Sequence, residues 1–411
     1  MATNWKAAIV KVMLLSFFHY ARLCGICSFT YRKRPTPARN QETFNIVTRS
    51  NASTYTVMQC VWYKWFFGIL RMLGAIGYIY GTLMLWYTND PFYNLITFLQ
   101  TNLMATGSVV MGICLLRSGK TFVYIINSFF GIFRRVQCLT PYRQVMGMLQ
   151  LMYLLIIVIR VATSAFSLTE ISNYTDWREL AVVATKLYLE TGIVASLHIA
   201  SIGYMCIGAL YNYMNRYMRE DLLPKARCLD HVLRRNKTYR PPRYARKLIR
   251  LTRELNNCVR IYNDIYNLAT MFHQSIRYQI LFALLFDFSL LTTVIYSILY
   301  IYSVIKAMDW NAVVFCLLII VEVLIMILSA YSAVQGGTAA NKLSLDTVYM
   351  GGDTEWNRSV EIFISRMNIY EFKPNVFGFF DISSDILVMF LSASFTYLTY
   401  ILQNTKLSQN I

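Results

Sequence analysis

Seven apolar runs, each long enough to cross a lipid bilayer, constrain this chain more than any other feature. They occupy 65–87, 95–116, 145–168, 181–210, 279–305, 311–333 and 376–402 of a 411-residue sequence. A helix needs about 20 apolar residues to cross ~30 Å of hydrocarbon. Lipid offers no partner to backbone N–H and C=O groups, which leaves helices or closed barrels, and these runs are far too long for barrel strands. The expected fold class is an all-α membrane protein with seven transmembrane helices. An eighth stretch, 7–30, is interrupted by Lys11, His19 and Arg22, while Val12, Leu15, Phe18, Leu23 and Ile26 recur at helical spacing. It reads as an amphipathic helix at the cytoplasmic surface or packed under the bundle. It lacks the cleavage-site pattern of a secretory signal.

The net charge of +18 reports orientation once its positions are read. With the N-terminus cytoplasmic, the inside stretches 1–64, 117–144, 211–277 and 334–375 hold 33 of the 39 Lys and Arg residues. Arg178, Lys306 and Lys406 fall outside, Lys186 sits near the outer end of the fourth run, and Arg71 and Arg160 lie within spans. This is the positive-inside bias, and it sets the N-terminus cytoplasmic and the C-terminus extracellular. The basic charge therefore points to anionic lipid, with no nucleic-acid partner implied. The arrangement is the reverse of a G-protein-coupled receptor. The sequon at Asn173 falls in the largest outside loop and is a glycosylation candidate, whereas those at Asn51, Asn236 and Asn357 lie inside and are expected to stay bare. None of the nine cysteines falls in an extracellular loop, so no disulfide framework is expected.

Three stretches imitate chemistry. Ser118-Gly119-Lys120-Thr121 resembles the end of a phosphate loop, but the first glycine of that motif would fall on Cys114, inside a span with no strand before it. Cys24 and Cys27 form a CxxC without a second pair or nearby histidines. Gly77 and Gly81 make a small-xxx-small pair that suggests close helix packing. The four histidines are scattered, and no nucleophile–base or carboxylate pair stands out. No catalytic residue, cofactor or metal is expected. Neither a run of arginines at every third position nor a filter loop of the potassium-channel type is present.

Between the fourth and fifth runs Pro224, Pro241 and Pro242 mark breaks. After them Leu248, Leu251, Leu255, Cys258, Tyr262, Ile265, Ala269 and Phe272 alternate spacings of three and four, a heptad seam leading into the fifth run. The seam fits either a long helix packed within its own subunit or an assembly domain joining several. A further helix fits 354–370, carrying Trp356, Val360, Phe363, Ile364 and Met367, and Pro374 restarts the chain into the last run.

On that last run, Asp385, Met389, Ser392, Thr396, Thr399 and Gln403 share one helical face. A polar stripe facing lipid is costly, so it should meet water or another helix. One reading buries the hydroxyls between helices, each satisfied by a carbonyl four residues back. The other lines an aqueous pore.

The ending also resembles the C-terminal signature of insect gustatory receptors: Thr396, Tyr397, five mostly hydrophobic residues from Leu398 to Leu402, then Gln403, preceded by Gly378-Phe379-Phe380-Asp381. The resemblance implies a homo- or heterotetrameric, ligand-gated cation channel for small-molecule tastants, in the plasma membrane of a sensory neuron. It implies a cytoplasmic segment 1–64, transmembrane helices in 65–210 and 279–333, and an anchor domain built from 211–278 and 334–375. It further implies a pore helix over 376–402 and an extracellular tail over 403–411. The gate would lie at Gln403 and Asn404. The family has Phe at position 404, so either the gate moves to Tyr400, or the closed pore leaks, or gating depends on another subunit. Leu398 stands where the sugar-sensing branch has Glu, which favours bitter or other ligands. The resemblance puts the ligand in the outer half of the first six spans, where Tyr188, Glu190, Tyr296, Tyr300, Trp310 and Phe315 are pocket candidates. Intramembrane Glu190, Asp287 and Glu322 are expected to bond between helices. The alternatives are a G-protein-coupled or other seven-helix chemoreceptor, a subunit working only in heteromers, and a transporter, for which the internal repeats and broken helices are missing.

Overall fold

The computed structural model describes residues 5–33, 55–85, 91–139, 148–166, 176–235, 242–305, 310–343, 349–350, 353–369, 371–378 and 380–409. In chain order the elements are α1 (Trp5–Leu23), β1 (Phe29–Lys33), β2 (Tyr55–Gln59), α2 (Val61–Leu85), α3 (Pro91–Leu139), α4 (Met148–Phe166) and α5 (Trp177–Tyr217). A π-helical turn (Met218–Leu222) joins α5 to α6 (Leu223–Arg235). Then come α7 (Pro242–Ile305), α8 (Trp310–Asn341), α9 (Thr354–Ile369), β3 (Asn375–Val376), β4 (Phe380–Asp381) and α10 (Ser384–Gln409). Both strand pairs are antiparallel, β1 with β2 and β3 with β4.

Among the described residues five helices are long and apolar enough to cross a membrane: those of α2, α3, α5, α7 and α8. The expected spans 145–168 and 376–402 correspond to α4 and α10. The apolar stretch of α4, Gln150–Thr163, is shorter, and α10 carries the polar stripe.

The helices overrun the expected spans. At 1.5 Å per residue the 64 residues of α7 extend ~96 Å, three times the hydrocarbon thickness. α3 continues to Leu139 because Phe122, Ile125, Ile132 and Val136 keep burying one face beyond the expected end at 116. Pro224 does not break the chain. It cannot donate to the carbonyl four residues back, and the helix widens into the π turn just ahead of it and carries on. Pro242, by contrast, opens α7, where a missing N–H costs nothing. The last span begins at Ser384 and not at 376, because 375–381 forms the second hairpin.

α1 ends at Leu23, short of the expected 30. Gly25 takes φ +66°, Ile26 N–H donates to Ala21 O and Gly25 N–H to Arg22 O, which closes the helix end and turns the chain into β1. Phe17 of α1 packs against Leu154 and Ile157 of α4, Met205 of α5 and Ile325 of α8, so α1 lies against the bundle.

α5 is the axial helix. Leu189, Ile193, Leu197, Tyr204, Leu210 and Met214 are fully buried, and α2, α3, α7 and α8 pack round it. The whole heptad seam, from Leu248 to Phe272, is buried in this same core, which decides for packing within the subunit. The helix expected at 354–370 is α9, capped by Asp353, whose carboxylate accepts from Trp356 N–H at 2.8 Å. Asn357 holds Met350 through both its backbone N–H and its carbonyl; the other sequons, at Asn51, Asn173 and Asn236, lie outside the described residues.

Glycine contacts separate the expected pair. A methyl group on Gly81 would meet Val182 Cγ2 at 2.3 Å, so α2 and α5 approach there, whereas one on Gly77 would meet nothing within 4 Å. The closer packing sequence missed is between α5 and α8, where a methyl group on Gly208 would lie 2.7 Å from Ser332 Oγ and 3.1 Å from the Ala333 backbone nitrogen. Gly208→Val is expected to lower the melting temperature of the detergent-solubilised receptor by more than about 5 °C, and Gly77→Val to leave it unchanged, as read by fluorescence-detected size-exclusion chromatography after heating.

Candidate functional site

The last helix divides cleanly into two faces. Ile386, Phe390, Ser394 and Leu398, four residues apart, are buried against α7 and α8. On the opposite side Asp385, Met389, Ser392, Thr396, Thr399 and Gln403 are all exposed. Thr396 and Thr399 donate to the carbonyls of Ser392 and Phe395, both at 2.9 Å. Their hydroxyls are thus satisfied within the helix, as the burial reading required, but they are not buried: the subunit leaves the stripe uncovered. The hydroxyl that is both satisfied and buried is Ser394, bonded to Phe390 O at 2.8 Å on the packed face. Val388 and Phe395 flank the stripe, each at least 64% exposed. Of the motif residues, Tyr397 leans on Phe288 of α7, ring centroids 6.4 Å apart. Tyr400 is exposed, Gln403 is exposed, and the side chain of Asn404 lies outside the described residues. An apolar gap of ≈ 260 Å³ separates Leu281, Leu284 and Leu285 of α7 from Met389 and Ala393 of α10.

The residues before α10 form a constructed entry. Phe377 and Gly378 take positive φ of 56° and 77° at the tip of the β3–β4 hairpin. Asn375 closes it from within: its amide donates to Asp381 Oδ1 at 2.7 Å, and its Oδ1 accepts from Gly378 N–H. The Gly378 and Asp381 of the familiar approach sequence are thus hairpin residues.

The described pocket candidates have different surroundings. Trp310 is 68% exposed at the start of α8, Tyr296 and Glu190 are half-buried, and the side chain of Tyr300 lies outside the described residues. Tyr188 and Phe315 instead serve two buried arginines. The Arg71 guanidinium sits 5.1 Å from the Tyr188 ring and donates to Cys24 O. Gly192 makes room for it, since a methyl group there would strike the guanidinium. The Arg160 guanidinium sits 4.7 Å from the Phe315 ring. A small cavity of ≈ 50 Å³, lined by Thr82, Asn94, Thr97 and Thr101 among others, opens between α2 and α3, away from these residues.

Sequence reasoning treated both arginines only as exceptions to the charge count, which was the one signal available for them. Arg160 Nε donates to Glu322 Oε2 at 3.0 Å, and His198 Nε2 lies 2.9 Å from Glu322 Oε1, a close charge contact without hydrogen-bond alignment. Three helices, α4, α5 and α8, meet at that carboxylate, so Glu322 bonds between helices as expected. Asp287 does not. It is 1% exposed, and neither carboxylate oxygen has a hydrogen-bond partner among the described residues. Arg160, whose charge reaches Asp287, commits its Nε to Glu322 instead.

A family model for the 7tm chemosensory receptor matches residues 14–406. The chain belongs to the 7tm chemosensory receptor family. This receptor is similar to putative gustatory receptor 93c of Drosophila melanogaster, 24% identical over 408 residues that cover 96% of this chain and 95% of that one. It is 27% identical to putative gustatory receptor 93b over 304 residues, 71% and 72% of the two chains. It is 20% identical to gustatory receptor for bitter taste 93a over 320 residues, 76% and 75%. Its fold is similar to that of the insect olfactory receptor OR5 from Machilis hrabei, with a TM-score of 0.55 at 12% identity, covering 96% of this chain and 99% of that one. The resemblance first visible in the last 60 residues therefore extends along almost the entire receptor.

Breaking the Arg160–Glu322 pair from one side strands a buried charge. Arg160→Met and Glu322→Leu are each expected to cost ~3–5 kcal/mol, and the double variant distinctly less than their sum, measured by denaturation of the purified receptor in one detergent.

Proposed function

We propose that this chain is a gustatory receptor subunit and that it works as a ligand-gated, non-selective cation channel. Four subunits, alike or related, surround one pore with their α10 helices. The observation that carries this reading is the division of α10, a hydroxyl-bearing stripe facing away from the subunit's own core. A polar face left uncovered at membrane depth needs water or another subunit beside it, and a central pore provides both. The membrane is crossed by α2, α3, α4, α5, α7, α8 and α10, with the N-terminus cytoplasmic, the C-terminus extracellular and glycan on Asn173. The overrunning parts of α3 and α7, with α6 and α9, form the cytoplasmic anchor domain. Since the heptad seam is spent inside the subunit, the anchor joins its neighbours through other faces of these helices. A tastant bound among the outer halves of α2, α3, α4, α5, α7 and α8 opens the pore. Similarity to a receptor whose name specifies bitter taste, and Leu398 within the motif, favour a bitter ligand over a sugar. The working location is the plasma membrane of a taste neuron.

The test is cysteine accessibility in cells that pass a ligand-evoked current. Charged methanethiosulfonate applied from outside is expected to block Thr396→Cys and Thr399→Cys receptors and to spare Ser394→Cys and Leu398→Cys. Equal sensitivity on both faces, or none on either, would overturn the pore assignment. Asn404→Phe is expected to reduce any standing leak seen without ligand, measured as holding current at matched surface expression.

A further inference from the structure

One polar chain ties the core of the bundle to the start of α10. His273 lies on α7, 7% exposed, where sequence marked only a scattered histidine. Its Nδ1 is 2.6 Å from the Tyr204 hydroxyl of α5, and its Nε2 is 2.8 Å from the backbone carbonyl of Asn375. A carbonyl can only accept, so Nε2 carries the proton, and in the neutral ring Nδ1 accepts from Tyr204 O–H. Phe372 seals the pair, with ring centroids 6.4 Å from both Tyr204 and His273. The Asn375 carbonyl that receives this bond begins the hairpin. Its far strand is fixed by Asn375 to Asp381 and by Ile382 N–H to Pro374 O at 2.9 Å, and two residues later α10 starts. On the other side of the tip, Phe377 is clamped between the Arg277 guanidinium at 4.5 Å and the Tyr278 ring at 4.3 Å. Among the described residues the hairpin is thus tied to α7 through His273, Arg277 and Tyr278, and to α5 through His273 and the Phe372–Tyr204 ring contact.

We infer that His273 is the positioning residue through which the α5–α7 core sets the place of the pore helix, with the 372–381 hairpin as the connecting element. This rests on the channel reading for its consequence in gating, but the positioning itself does not. Among its described side chains α10 packs through Ile386, Phe390, Ser394 and Leu398, with Tyr397 against Phe288, and its stripe is left exposed. Its entry point therefore decides where the stripe lies. A shift of α5 against α7 reaches that entry through two hydrogen bonds and no solvent gap. Tyr204 and His273 belong to the two helices that carry most of the core, so a change in their packing reaches α10 through the hairpin as well as through the direct contacts of α10 with α7 and α8.

The two bonds can be cut separately. Gln places an amide near the position of Nε2 and keeps the bond to Asn375, while Asn places its polar group near Nδ1 and keeps only Tyr204. His273→Gln, which gives up the Tyr204 bond but keeps Asn375, is expected to hold the hairpin with wild-type exchange over 372–386 and to shift the dose–response less than His273→Asn. His273→Asn, at equal surface expression, is expected to raise the half-maximal ligand concentration about 5- to 10-fold, the worth of one buried hydrogen bond. Hydrogen–deuterium exchange on the purified full chain supplies a readout independent of conduction. Exchange in His273→Asn should rise over 372–386 and remain unchanged in α5. Unaltered exchange there would overturn the positioning role, whether or not the protein conducts. Faster exchange with an unmoved dose–response in a conducting receptor would overturn the gating consequence. Equal loss in the Gln and Asn variants would mean the histidine serves packing alone. A wild-type protein that never conducts would sink the channel reading and leave the exchange result to decide the positioning.

Discussion

Everything in this receptor is arranged round a helix that is buried over most of its length. From Leu189 to Tyr217, α5 is packed among α2, α3, α7 and α8, with Asn212 and Arg216 exposed. Lipid is as apolar as leucine, so helices in a bilayer gain little by hiding hydrophobic surface and associate by close contact and by polar ties. Both devices centre on α5. Its Gly208 lets α8 approach to backbone distance. Its polar side chains reach outward at successive depths: His198 to Glu322, Tyr204 to His273, and Asn215 to the Gly336 carbonyl at 2.8 Å, with Tyr262 O–H donating back to Asn215 at 2.7 Å. Each tie goes to a different turn of α7 or α8, so register along the axis is fixed several times over.

α10 obeys the opposite rule. It packs on α7 and α8 along about one residue per turn and leaves the hydroxyls of Ser392, Thr396 and Thr399 outside. Intrahelical bonds from Thr396 and Thr399 meet the hydroxyl protons, while their oxygens still present lone pairs to whatever lies beside them. A helix with such a face is poorly anchored by its own subunit, and its position must come from its ends or from its neighbours. The hairpin with its left-handed Phe377 and Gly378 supplies a fixed start. The lightly packed α10 and the over-determined α5 are complementary parts of one structure, a tied frame with one helix held mainly at its start and along one face.

The charges inside the bundle follow the same geography. Arg160, His198 and Glu322 lie where three helices cross, and removing Arg160 or Glu322 strands the other in low dielectric. Arg71 rests on the Tyr188 ring and the Cys24 carbonyl, linking the chain between α1 and β1 to the axial helix.

Sequence alone determined the elements that depend on local order. Apolar run length gave the helices, the alternating spacing from Leu248 to Phe272 gave a buried seam, and Trp356 to Met367 gave α9 almost to the residue. The spacing of Asp385 to Gln403 placed those side chains on one face, because a helix fixes direction every 3.6 residues wherever it is. What a face meets is not a local property. The seam's choice between its own subunit and another, the exposure of Thr396 beside the burial of Ser394, and the pairing of Arg160 with Glu322 were decided by tertiary packing. So was the hydrogen bond from His273 to a carbonyl 102 residues away. Helix ends moved for the same reason: Pro224 could be absorbed by a π turn because packing on both sides held the axis, and α3 ran on past 116 because α7 was there to cover it. Periodicity states that a side chain will be presented, and only the assembled bundle states to what.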